Sequence, residues 1–217
     1  MIYIQKEKII FETFEQIVAG LDNYEDLKDE PREKVIQLLL REQRGLCAIC
    51  ERKAIRFAPT IEHFMPKSIF PALQLNYYNL YISCQACNEP KAHFLIPPYL
   101  FDPRFAPFGI DALKPVYEWR DGKVYVTAPQ LSKYEKSEHK HAHILQSTLD
   151  LLQQNRDKTE KSSLLSLRAV VWKTWTEHSK HPNWVEKIRK LKDSSDYPEF
   201  VSVVGQLCAT ILKKKPI

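Results

Sequence analysis

The sequence predicts an α+β protein, a small metal-centred module followed by a mainly α-helical domain and carrying a small β-hairpin between them. Three observations predict this. Two C-x-x-C pairs, Cys47/Cys50 and Cys84/Cys87, enclose an insert of 33 residues that reads as two short strands and a loop. The segment VYEWRDGKVYV alternates polar and apolar residues around Asp121-Gly122, the strongest short hairpin signal. After Gln130 apolar residues recur at helical spacing almost to the end. With 217 residues, 44% of them hydrophobic, the chain can bury a real core and is not of the disordered class.

Taken in order, residues 1–30 mix apolar positions (Ile9, Ile10, Phe11, Phe14) with an acidic run from Asp22 to Glu30. They read as a short helix that docks either on the body or on a partner. A helix is expected from near Pro31, which suits a first turn, with Val35, Leu38 and Leu39 on one face and a stop at Gly45. Residues 54–62 read as one strand and Tyr78–Ser83 as another, with 67–76 as the loop between. Asn88 begins or caps a following helix with Pro90 in its first turn, so Asn88 and Lys91 project from that helix start. Residues 95–115 are an irregular Pro- and aromatic-rich connection. Helices are then expected over 133–150, 155–178 (stripe Leu164, Leu167, Val171, Trp175), 183–193 (Asn183 as N-cap) and 197–213. The implied domains are a docking segment (1–30), the metal module (31–97), a connection with the hairpin (98–130) and the helical domain (131–217).

Several classes are excluded. No apolar run approaches the roughly 20 residues that cross a membrane. The start MIYIQKEKIIFETFE, its apolar residues broken by charges, does not read as a secretory signal, so a cytoplasmic protein is expected. Five cysteines in such a context argue against a disulfide framework. Cys208, among Val204, Leu207, Ile211 and Leu212, reads as a buried hydrophobe. The formal charge of +5 permits a polyanionic partner without requiring one.

The two Cys pairs carry the chemistry. Zn²⁺ takes four thiolates tetrahedrally, a two-residue gap lets each pair bite one ion, and the insert is clamped at its base. A redox role would need only one pair. Such a zinc is a staple and says nothing of activity, whereas the insert does. It holds Glu62-His63 and Asn79, and the second pair is followed by Asn88 and Lys91.

This pattern, IEHFMP, NLYISC and CNEPK, resembles the HNH endonucleases with their ββα-metal core. LLREQRGLCAICER, IEHFMPKS and NLYISCQACN further resemble the HNH subunit of Septu-type and retron-associated antiphage systems, the PtuB-like group. The similarity is tight over 38–91 and looser to about 170. It implies a nuclease effector (toxin) subunit acting on DNA or on RNA such as tRNA. It further implies a PtuA-like ABC-type ATPase partner and, in retron versions, a reverse transcriptase with its RNA–DNA product. It assigns His63 as general base, Glu62 and Asn88 as ligands of a catalytic Mg²⁺ or Mn²⁺, Asn79 as holder of the loop that aims His63, and Lys91 as a phosphate neutraliser. The chemistry suits these residue types. A neutral histidine can take a water's proton near neutral pH, and a hard cation prefers carboxylate and amide oxygens. Glu62 stands where Asp is commoner in the superfamily, and His93 is either a third ligand or a packing or phosphate-contact residue.

Other features have plainer readings. His139, His141 and His143 read as an exposed helix start, Trp172, Trp175 and Trp184 as packing residues, and Lys213–Lys215 as a solvated helix end. The rival to an enzyme is an inactive zinc-binding adaptor that binds nucleic acid or protein, which would have no use for Glu62, His63, Asn79 and Asn88 together.

Overall fold

The computed structural model describes residues 8–63, 65–85, 87–88, 116–121, 123–127, 164–184, 186, 190, 204 and 206–207. The chain divides into two compact units, 1–112 and 113–217. The first begins with α1 (Lys8–Val18), whose buried residues Ile10, Phe14 and Val18 fall every fourth position and so form one stripe. That stripe packs on α2 (Asp29–Glu42) and reaches the turn before the second strand, where Phe11 and Phe14 meet the Tyr77 ring at 5.8 and 5.6 Å. Of the two destinations open to the N-terminal segment, the buried side of α1 takes the body.

Gly20, at φ +83°, ends the α1 turn. Asn23 then caps a 3-10 turn over Tyr24–Asp26: its side chain accepts from the Glu25 N–H at 3.1 Å, while the Asp26 carboxylate accepts from the Asn23 N–H at 3.1 Å. This reciprocal cap fixes where Tyr24 and Glu25 point. α2 opens with Asp29 and Glu30 at its positive end and buries Val35, Ile36, Leu38, Leu39 and Leu40. It ends at Glu42. Gly45, at φ +73°, returns its N–H to the Leu40 carbonyl at 2.7 Å, closing the C-terminus in the manner expected of glycine.

The strand expected over 54–62 is shorter. Ala54–Phe57 form a 3-10 turn, Ala58 takes a left-handed φ of +50°, and only Pro59–His63 is strand (β1). The Ala54 N–H is drawn to the Gly45 carbonyl at 2.8 Å, so this stretch closes the first cysteine loop instead of extending the sheet. The second strand is displaced in turn, to Leu80–Cys84 (β2), because Asn76 caps a 3-10 turn over Tyr77–Asn79. β1 and β2 pair antiparallel, with Pro59 opposite Cys84, Thr60 opposite Ser83 and His63 opposite Leu80. Helical backbone resumes already at Gln85, with Cys87 and Asn88, so Asn88 sits inside the first turn instead of opening it. The core gathers Phe14, Val35, Leu39, Leu46, Ile49, Tyr77, Leu80 and Ile82, all buried.

In the second unit β3 (Val116–Arg120) and β4 (Lys123–Thr127) form the expected hairpin, with Arg120 opposite Lys123 and Asp121 at φ +50°. α3 spans Leu164–His178. The expected apolar stripe is only half-buried at Leu167, Val171 and Trp175, whereas Arg168 and Ala169 are buried. Apolar residues lie on several sides of this helix, from Ala169 to Trp172, so spacing alone does not choose its inner face. Trp184 is buried, in keeping with a packing role. The helices expected over 133–150 and most of 183–193 and 197–213 lie outside the described residues. No helix among those described is long and apolar enough to cross a membrane.

Candidate metal centre and active-site cavity

Cys47, Cys50, Cys84 and Cys87 are all buried, and their sulfurs lie within 4.8 Å of one another. Cys47 Sγ to Cys87 Sγ is 3.6 Å and Cys50 Sγ to Cys84 Sγ is 3.8 Å, far beyond an S–S bond. A tetrahedron of sulfurs about 2.3 Å from a central ion has edges of about 3.8 Å. The four sulfurs could therefore hold a metal ion such as zinc. Proton affinities agree. Hydrogen bonding with Cys47 and Cys84 pushes the Cys50 thiol well above its ordinary value, and burial does the same to Cys87. Cys47 is held lower despite its burial, through the Cys50 hydrogen bond. The raised Cys50 and Cys87 thiols resist ionising unless a cation compensates them.

The centre is built from a knuckle and a strand end. Leu46 bridges Lys53, and the Cys47 N–H donates to the Arg52 carbonyl at 2.8 Å, so the first pair sits in a tight hairpin. Cys47 Sγ accepts from the N–H groups of Cys50 at 3.5 Å and Cys84 at 3.3 Å. The knuckle is then tied to β2 by Gln43. Its side chain donates to the Leu46 carbonyl at 2.8 Å and the Ile82 carbonyl at 2.9 Å, and accepts from the Ile82 N–H at 2.7 Å. This buried amide does for β2 what a neighbouring strand would do. Nothing in the sequence motifs marks it.

A separate cavity of about 390 Å³ is lined by Glu62, His63, Asn88, Thr60, Tyr24, Arg32 and Lys67 among others, and by none of the cysteines. Glu62 and His63, the last two residues of β1, are buried at its floor. His63 Nε2 is 2.9 Å from the Gln74 carbonyl. A carbonyl only accepts, so Nε2 carries the proton and the lone pair of the neutral ring is on Nδ1. The Tyr24 ring meets the imidazole edge-on, with centroids 4.7 Å apart. Tyr24 is itself held through its N–H, which donates to Gln74 Oε1 at 3.2 Å. Gln74 thus anchors both rings, one by its backbone and one by its side chain.

Asn79 is buried and spends its amide on the loop after His63. Oδ1 accepts from the Met65 N–H at 2.8 Å, and Nδ2 donates to the carbonyls of Met65 and Leu73, each at 3.0 Å. Asn88 Nδ2 donates to Thr60 Oγ1 at 3.1 Å, which ties the start of the helix to β1 and leaves Oδ1 as the amide's ligating atom. Glu62 and Asn88 offer the cavity a carboxylate and an amide oxygen, a hard donor pair that fits Mg²⁺ or Mn²⁺ better than a soft ion.

Tyr24, Arg32, Thr60, Lys67 and Gln74 escape the sequence reading. Lys67 follows the Glu62-His63 motif closely and could have been flagged for that. Tyr24 and Arg32 come from far upstream, and Gln74 acts partly through its backbone. Lys91, His93, Cys208 and the cluster His139, His141 and His143 lie outside the described residues. No family model, curated protein or solved structure matches the chain.

Proposed function

We propose that the protein is a metal-dependent endonuclease of the HNH type that hydrolyses phosphodiester bonds in DNA or RNA, with a structural zinc on Cys47, Cys50, Cys84 and Cys87. One observation carries the reading: an imidazole, two hard oxygen donors and two cations, Arg32 and Lys67, line one cavity beside a four-cysteine centre. His63, its Nε2–H committed to the Gln74 carbonyl, takes the proton of the attacking water at Nδ1. Asn79 keeps the loop bearing Gln74 in place and so aims the imidazole. A divalent ion on Glu62 and Asn88 would supply charge neutralisation at the scissile phosphate and the leaving oxygen. Lys91 remains a proposed phosphate contact through the sequence resemblance alone. By the same resemblance the chain acts as the effector of an antiphage complex with a PtuA-like ATPase, which co-purification of the two proteins would test.

The decisive experiment compares wild type with His63→Ala on plasmid DNA and on tRNA, with added Mg²⁺ or Mn²⁺. Losing a positioned base costs about 10²- to 10⁴-fold in rate. Asn88→Ala should act alike, by weakening the site for the catalytic ion. A His63→Ala protein with unchanged circular dichroism that cleaves at the wild-type rate would refute the assignment.

A further inference from the structure

We propose that Arg32 and Lys67 form a clamp for a nucleic-acid phosphodiester at the rim of the cavity, and that Glu25 holds Lys67 in the free protein as an internal stand-in for that phosphate. The proposal rests on the nucleic-acid reading above and names the residues that would bind the backbone.

Arg32 comes from the first half of α2 and Lys67 from the loop after β1, yet both line the cavity that holds Glu62, His63 and Asn88. Both also act on Tyr24. Lys67 Nζ lies 4.8 Å from the Tyr24 centroid, and Arg32 acts on the Tyr24 hydroxyl, which burial pushes above its usual proton affinity and the two cations pull back. Two cations converging from separate elements on a cavity with a general-base candidate make a binding site for an anion. The Glu25 carboxylate pairs with Lys67. Its position follows from the Asn23 cap and the Tyr24–Gln74 hydrogen bond, so the N-terminal turn delivers the carboxylate to the rim.

The exposures make this pair displaceable. The Glu25 side chain is 61% exposed and that of Lys67 40%, so a strand can reach them from solvent. Exposed ion pairs are weak, and a phosphodiester that also meets Arg32 can outcompete a single carboxylate. An ordinary surface ion pair would have the same geometry but would not couple to nucleic-acid binding.

A double-mutant cycle on the full chain separates the two. Binding of a short fluorescein-labelled single-stranded oligonucleotide is followed by anisotropy without added divalent ion, across a range of NaCl. Lys67→Ala should weaken binding and flatten the slope of log affinity against log salt by about 0.7, one phosphate contact for a single strand. Arg32→Ala should do the same. Glu25→Gln should tighten binding roughly 1.5- to 5-fold, the range that release of an exposed pair permits. In the Lys67→Ala background the same change should add nothing, because its effect runs through Lys67. Equal gains from Glu25→Gln in both backgrounds would overturn the stand-in, since they would mean general charge repulsion. An unchanged salt slope in both Lys67→Ala and Arg32→Ala, or no binding by wild type, would overturn the clamp. Zinc content and circular dichroism confirm that each variant is folded. Cleavage is read separately, with added Mg²⁺ or Mn²⁺: coupled binding without cleavage would sink the nuclease reading and leave the clamp, and cleavage with unchanged salt slopes would do the reverse.

Discussion

Asn79→Ala tests whether a buried amide, and not the strand pairing, holds the loop that orients His63. The side chain makes three hydrogen bonds to that loop: one accepted from the Met65 N–H and two donated to the Met65 and Leu73 carbonyls. Each is worth about 1 kcal/mol net, and because Met65 and Leu73 are half-buried, water can partly replace what is lost. The expected cost is about 3 kcal/mol, or about 6–12 °C in Tm for a chain of this length. Asn79→Asp is the sharper variant. It keeps the acceptor for Met65 but turns a carboxylate oxygen on two carbonyls, so it should cost at least as much despite its matching shape. Thermal unfolding and amide hydrogen exchange over 65–76 read the effect, with zinc content as the control. The loop should exchange faster while the four cysteines keep their metal. Wild-type Tm and unchanged exchange in both variants would refute the reasoning, since they would mean that Pro66 and the short turns hold the loop unaided.

Metal analysis should find one zinc per chain, and Cys84→Ser should unfold the first unit, because a structural zinc contributes on the order of 10 kcal/mol to folding; a soluble, folded, zinc-free protein would exclude the centre. Phe14→Ala empties a fully buried position between α1 and the Tyr77 turn, and should cost about 3–5 kcal/mol in urea unfolding. Deleting residues 1–25 strips the same face from α2 and removes Tyr24 from His63, so it should lower Tm and cleavage together, and an unaffected Tm would mean that α1 adds nothing to the body.

What the sequence revealed depended on how local the determinant is. The cysteine cage is readable because each pair is a two-residue spacing with a single chemistry, and the hairpin because Asp121-Gly122 specifies its own turn. The end of α2 is marked by one glycine whose φ is unfavourable to other residues. By contrast, the break at Ala58 follows from a backbone bond between Ala54 and Gly45 that closes the knuckle, and no propensity announces it. Gln43 is an ordinary glutamine at a helix end until β2 is known to lie beside it. Tyr24 and Arg32 reach the cavity only once α1 and α2 have packed, and Gln74 orients His63 through a carbonyl, which every residue carries. The sequence singled out the candidate site residues and Asn79, which holds their loop, and was silent on Gln43, Tyr24, Arg32 and Gln74.

That division bears on how the two sites are joined. The metal centre and the cavity share no lining residue, yet both are read off the same two strands. Ala48 donates its N–H to the Ile82 carbonyl at 2.9 Å, and Gln43 holds both polar groups of Ile82, so the knuckle fixes the middle of β2. Ile82 faces Ile61 across the ladder, which places Thr60 and Glu62 on either side of the clamped pair. Cys84 ends β2 and Cys87 lies in the helical turn that follows, and that turn presents Asn88 to Thr60. An ion on the cysteines would therefore set the distance between Glu62 and Asn88 without touching either. Without such an ion the end of β2 and the helical turn would be freed together. The cation site proposed on Glu62 and Asn88 should then fail with the staple.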